Sequence, residues 1–308
     1  MTARHLLVAC ALVALAAAIL GASRLAIGPN TAAAGFVTIL MLLAVMRAES
    51  WRVRAQAALW AVLVALLGYM VGGHGLVATL VALVVVSLVQ GIVTVGETAL
   101  LTRSPVNLLA FASLGQSGAQ LWSVVLGSCI GAVVVLGFSL VTRSRERRLV
   151  DPKSMSDRLA YGVATAAGAV VISVVGELVH FPYTGWALLT FALVLSFAPE
   201  QRLERGYARL VGSVVGAVLA TLLAQLPAPV PLIAAVVCMV LCVAFLNAGD
   251  YRRFVLFLTP AVLLTTSSEY SAVALGVLRV EAVLFGAVVA FACVFAMRRW
   301  GSRRIMGS

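Results

Sequence analysis

Apolar residues fill most of the chain in long runs, many of about 18 residues, separated by short polar or basic segments. Runs of this kind suit helices crossing a hydrocarbon core of about 30 Å. They lie at 6–22, 32–46, 55–71, 76–95, 106–118, 121–141, 159–179, 185–198, 208–226, 230–247, 254–267 and 272–297. The pattern predicts an all-α polytopic membrane protein with about twelve transmembrane helices. The fifth and eighth runs are short and fit broken or re-entrant elements as well as full spans. Barrel strands would be about 10 residues long and would alternate apolar with polar positions. No such alternation runs through this sequence.

Composition agrees with the pattern. The chain has 308 residues, 63% hydrophobic and only 11% charged, whereas soluble domains carry about a quarter charged residues. It is expected to have no soluble domain of its own. The formal net charge of +11 then reads as topology. With a cytoplasmic N-terminus, the inside segments are 1–5, 47–54, 96–105, 142–158, 199–209, 248–253 and 298–308. They hold twenty of the 22 lysines and arginines, and only Arg24 and Arg279 fall elsewhere. Basic residues collect on the cytoplasmic side, so the chain is expected in the cytoplasmic membrane with both termini inside. Anionic lipid headgroups suit such loops as partners. Nucleic acid does not, because the bases are divided among short loops. The first run, long and without a small-residue cleavage pattern, reads as a spanning helix rather than a signal peptide.

The halves resemble one another. The basic stretch 143–158 separates an N-terminal six-run region, 1–142, from a C-terminal one, 159–308. Pro29-Asn-Thr-Ala-Ala-Ala-Gly-Phe-Val-Thr matches Pro182-Tyr-Thr-Gly-Trp-Ala-Leu-Leu-Thr, each at the start of a second run. Gln120-Leu-Trp-Ser-Val-Val-Leu-Gly lies against Arg279-Val-Glu-Ala-Val-Leu-Phe-Gly. Six helices per half give both halves the same orientation. Two parallel six-helix repeats are therefore expected, with a pathway where they meet.

The second half carries Gly185-Trp186, Pro199, Arg209-Leu-Val-Gly-Ser-Val-Val-Gly216, Tyr251, Thr259-Pro260 and Arg279-Val-Glu-Ala-Val-Leu-Phe-Gly286. In these residues, across about 160–298, it resembles the fusaric-acid-resistance-like (aromatic acid exporter) family of integral membrane transporters. The family pattern Arg-x-x-Gly-Thr-x-x-Gly is met with Ser213 in place of Thr. The resemblance implies a helical transporter unit that moves organic anions.

Ionisable groups inside a span are costly and mark function by default. Arg279 stands out, since topology does not explain a base there. A guanidinium pairs bidentately with carboxylate, which makes Arg279 the first candidate anion contact. The alternative is a structural arginine locked to Glu177, Glu269 or Glu281. Glu281 joins the candidate set, although two residues along a helix is a different face. Arg209, where a cytoplasmic loop becomes a span, is a candidate inner-mouth base or a topology anchor. Thr259 and Pro260 add a helix interruption able to line a cavity. Gln120 stands at the first-half position matching Arg279. Glu177, His180, Tyr183 and Trp186 form a second group, suited to proton coupling or gating because histidine titrates near neutral pH; an interfacial aromatic belt explains them equally. Glu97 and Arg103 read as solvated loop residues.

No enzyme is indicated. His5, His74 and His180 sit at separate span ends, and no phosphate-binding Walker motif is present. The five cysteines lie in apolar runs. Cys238 and Cys242 share a helix face without a histidine or carboxylate beside them, so no metal and no cofactor is expected. The expectation is a secondary transporter exporting small organic or aromatic anions. Its alternatives are a passive anion channel and a non-transporting membrane subunit of an envelope complex. A homo-oligomer or an envelope-complex partner stays open.

Overall fold

The computed structural model describes residues 3–43, 50–94, 103–142, 154–195, 202–265 and 271–305. Within them the chain forms twelve helices and no strand. In order these are α1 (Ala3–Ala26), α2 (Pro29–Leu42), α3 (Trp51–Gly72), α4 (Gly75–Thr94), α5 (Ser104–Gln116) and α6 (Leu121–Thr142). Then come α7 (Met155–Leu178), α8 (Thr184–Leu195), α9 (Arg202–Ala224), α10 (Val230–Asn247), α11 (Tyr251–Thr265) and α12 (Ala272–Ile305). Eight of them, α1, α3, α4, α6, α7, α9, α10 and α12, contain a stretch long and apolar enough to cross a membrane. The chain is a multi-pass membrane protein.

The described parts of the other four, α2, α5, α8 and α11, have 14, 13, 12 and 15 residues. The sequence expects α5 to be short, and its 13 residues, at about 1.5 Å each, reach less than the thickness of a hydrocarbon core. Residues 143–153, which hold most of the basic linker, and Glu97, Pro199 and Glu269 lie outside the described residues.

Local chemistry accounts for the helix ends. Proline stands in the first turn of α2, α5 and α10, where its fixed φ suits the helix and its missing N–H costs nothing. At the start of α7, the Ser154 side chain accepts from the Asp157 backbone N–H at 3.2 Å and donates to the Asp157 carboxylate at 2.7 Å. This reciprocal cap satisfies an orphan donor. Gly118 and Gly249 take φ of +75° and +76° in the α5–α6 and α10–α11 turns, a region other residues enter only at a cost.

The helices group into two compact units. One comprises Ala16–His180 with Val289–Ser308 and holds the second part of α1, then α2 to α7, then the second half of α12. The other comprises Met1–Leu15 with Phe181–Val288 and holds the first part of α1, α8 to α11 and the first half of α12.

Small residues set the packing in each unit. Lipid tails are as apolar as leucine, so membrane helices associate through close approach rather than through hydrophobic burial. In the first unit α2 lies along α6, where a Cβ on Gly127 would stand 2.2 Å from the Thr31 carbonyl oxygen and one on Gly131 would stand 2.5 Å from that of Gly35. Between α3 and α5, a Cβ on Gly72 would stand 2.1 Å from the Ala112 carbonyl oxygen. Between α4 and α7, Gly91 meets the Cα of Gly162 in the same way. In the second unit, Gly212 and Gly216 of α9 meet α11, and Gly286 of α12 meets Ala187 and Thr190 of α8. At Gly127, Gly131, Gly72, Gly91 and Gly286 the nearest atom is backbone, which cannot swing aside. Gly127→Ala is therefore expected to destabilise the protein by about 1–3 kcal/mol, the usual penalty for overpacking a tight contact. Gly137→Ala on the same helix, with nothing within 4 Å of its added methyl, is the matched control. Thermal unfolding in detergent distinguishes the two.

Candidate anion site

The second unit buries two arginines. Arg209, eighth residue of α9, has 0% of its surface exposed, and Arg279, eighth residue of α12, has 1%. They are the two largest fully buried side chains among the described residues.

The short helix α8 brings them together. Trp186 and Thr190 are four residues apart on α8 and so share a face. Thr190 Oγ1 accepts from Arg209 Nε at 3.1 Å and donates to the Trp186 carbonyl at 3.1 Å. The guanidinium carbon of Arg279 stands 4.9 Å from the centre of the Trp186 ring, within cation–π range. Trp186 in turn stacks on Tyr183, with ring centres 4.1 Å apart and planes 9° from parallel. Gly286, two turns after Arg279 on α12, allows the close approach to Ala187 and Thr190 that seats the arginine over the indole. On the other side, Gly216 draws α9 against Thr259 and Pro260 of α11. Pro260 frees the Leu256 carbonyl within its own helix, and that oxygen faces Gly216.

The charges of this cluster are uncompensated. Nη1 and Nη2 of Arg209, and Nε and Nη1 of Arg279, have no hydrogen-bond partner among the described residues, and neither does the buried Ser213 Oγ one turn beyond Arg209. No aspartate or glutamate is buried among those residues. Glu204 pairs with Arg252 at 3.0 Å, and Asp250 with Arg253 at 3.4 Å, both in exposed settings. Arg209 also acts on Arg279 as a like charge, so the two cations oppose each other. A charge removed from water without a partner costs several kcal/mol, and here there are two. A bound anion is the simplest compensation: Arg209 offers an open end-on fork, the geometry that takes a carboxylate bidentately.

The residues expected from sequence divide clearly. Arg279, Arg209, Thr259, Pro260, Tyr183 and Trp186 lie in the second unit. Arg209 is fully buried rather than poised at a loop mouth, because Gly212 and Gly216 pull its helix inward against α11. Trp186 and Tyr183 hold Arg279. Thr259 Oγ1 donates back to the Val255 carbonyl at 3.4 Å, and its Cβ packs on Gly216, so it supports the site. Glu281 is exposed on a different face of α12. Gln120 belongs to the first unit; it is exposed and accepts from Trp122 Nε1 at 2.6 Å. Glu177 and His180 also belong to the first unit and are exposed at the end of α7. His180 has φ +52°, the left-handed position that usually closes a helix, and its backbone N–H donates to the Glu177 carbonyl at 3.1 Å. Thr190, the residue that ties Arg209 to α8, closes the segment matched to Pro29–Thr38 but is not among the candidate site residues of the sequence.

Comparison with known proteins adds one match. A family model described as fusaric acid resistance protein-like matches residues 160–293. That segment runs from α7 into α12, includes both buried arginines, and coincides with the region where the sequence resembles that family. No curated protein and no solved structure matches the chain.

Proposed function

We propose that the protein is a secondary transporter that exports small organic anions, aromatic carboxylates among them, across the cytoplasmic membrane, with both termini on the cytoplasmic side. The observation that carries this is the pair of buried guanidinium groups, Arg209 and Arg279, which among the described residues have N–H groups without a hydrogen-bond partner and no buried carboxylate. A structural arginine would be expected to end on a counter-charge or a set of carbonyls. These two end on Thr190 and on the face of Trp186, which leaves their donors for something that enters and leaves.

Two six-helix repeats, twelve spans in all, belong to this reading. A spacing of 155 residues supports it: Arg54, Ala57 and Ala61 of α3 recur as Arg209, Gly212 and Gly216 of α9, and Ser104-Pro105 of α5 as Thr259-Pro260 of α11. The first half has lost the site on this reading. Arg54 donates to the Ser139 carbonyl at 3.2 Å. At this spacing the counterpart of Arg279 is Val124 rather than the Gln120 of the end-to-end motif match, and Val124 lies inside an apolar cluster with Ala34, Ala65, Phe111 and Ala119.

Counterflow tests it. Purified protein in liposomes loaded with a panel of unlabelled aromatic carboxylates is expected to take up the labelled compounds. Arg279→Gln is expected to lower the rate by roughly 30-fold or more, the usual cost of removing one partner of a buried charge pair. A folded Arg279→Gln protein with unchanged transport would contradict the assignment. Uptake against a gradient when a proton gradient is imposed distinguishes a carrier from a passive channel, which would give currents without accumulation.

A further inference from the structure

Building on that transport reading, we infer that the site selects doubly charged anions, and that negative charge rather than an aromatic ring decides which substrate binds. The inference starts from charge balance. Arg209 and Arg279 bring two positive charges into a space where no described carboxylate is buried. One monocarboxylate leaves one of them uncompensated, at a cost of several kcal/mol in a low-dielectric interior. A single dianion neutralises both.

The donors divide accordingly. On Arg209, Nε is occupied by Thr190, and the Nη1–Nη2 fork is open. That fork accepts one carboxylate or one face of a phosphate. On Arg279, Nε and Nη1 are open, and they provide donors for a second acidic group. The Ser213 hydroxyl, buried and without a partner, adds a neutral donor one turn from Arg209. The site therefore offers charged donors on two separate side chains.

The aromatic residues do not supply a ring-binding surface. Tyr183 stacks on the Trp186 indole at 4.1 Å, and the Arg279 guanidinium stands 4.9 Å from the same ring. The indole is already engaged by both, and its role is to hold the arginine. A substrate ring would gain little from it.

The test compares benzoate with the three benzenedicarboxylates, by calorimetric titration into wild-type protein in phosphatidylcholine nanodiscs. The ring is the same and the charge differs. The best dicarboxylate is expected to bind roughly 30-fold or more tightly than benzoate, the scale of one buried charge interaction. In Arg209→Gln the ratio is expected to fall toward one. Arg209→Lys, which keeps the charge, is expected to retain a clear preference, so a change in fold alone cannot produce the pattern. Equal affinities in the wild type, with both ligands lost in the Arg209→Gln, Arg279→Gln protein, would overturn the dianion inference and leave the transport reading standing. Binding of neither ligand class, or binding unchanged in the double variant, would overturn both. A lipid phosphate is the other source of a dianion. Competition by phosphatidic acid added to the discs would assign the arginines to a lipid headgroup and overturn the solute inference.

Discussion

Replacing Arg209 by methionine is expected to make the ligand-free protein more stable while abolishing its ability to carry anions. The Arg209 guanidinium is fully buried and, among the described residues, hydrogen-bonded at Nε alone. Methionine is apolar and flexible enough to fill much of the volume the arginine leaves. The lost hydrogen bond costs little, because Thr190 Oγ1 keeps its donation to the Trp186 carbonyl. Substituting well-packed apolar side chains for buried charged groups often stabilises by about 1–4 kcal/mol, and this arginine has no ion-pair energy to lose. Arg279→Met is expected to gain less, since it also gives up the contact with Trp186, worth about 0.5–2 kcal/mol. Thermal unfolding of the three proteins in one detergent checks the order, with Arg209→Met highest. A lower midpoint for Arg209→Met than for wild type would mean that Arg209 has a structural partner in the empty protein.

A second large effect is expected from placing a counter-anion inside the site. Ser213 lies one helical turn from Arg209 on α9, and its buried hydroxyl has no partner. The side chains of residues four apart on a helix meet. Ser213→Asp is therefore expected to pair with Arg209 through charge-assisted hydrogen bonds, each worth about 1.5–3 kcal/mol. The pair should stabilise the protein and occupy the donors an anion needs, so transport should fall to background. Ser213→Asn has nearly the same shape without the charge and is expected to keep most of the activity. Transport and unfolding measured on both variants give the answer. An active Ser213→Asp protein would place the substrate away from Arg209.

These effects follow from features of very different visibility in the sequence. The helices were legible because apolar runs and the alternation of basic loops reinforce one another. Arg279 was legible as a site because no topological rule places a base there. Arg209 is legible as a candidate base, but its burial is not. It follows Arg202 and Arg205 and reads as a charge at the end of a cytoplasmic loop, and the approach of α9 to α11 at Gly212 and Gly216 accompanies its burial. Trp186 is visible as an aromatic at a span end, but its task of holding Arg279 depends on α12 reaching α8 at Gly286, whose contact with Ala187 joins residues 99 apart in sequence. Glu177 and His180 drew attention as ionisable neighbours. Their place is the exposed end of α7, where His180 closes the helix, and that backbone role leaves no mark that separates it from proton coupling.

An anion bound by Arg209 and Arg279 in the folded protein alone raises its stability with concentration, by about 2.7 kcal/mol at a hundred times Kd. The decisive measurement is the unfolding midpoint of wild-type protein and of the Arg209→Gln, Arg279→Gln double variant across a titration of benzenedicarboxylate at constant ionic strength. The midpoint is expected to climb with ligand in the wild type and to stay flat in the double variant, which itself starts higher. A wild-type midpoint that does not move, or a double variant that climbs in parallel with it, would show that the two arginines are not an anion site.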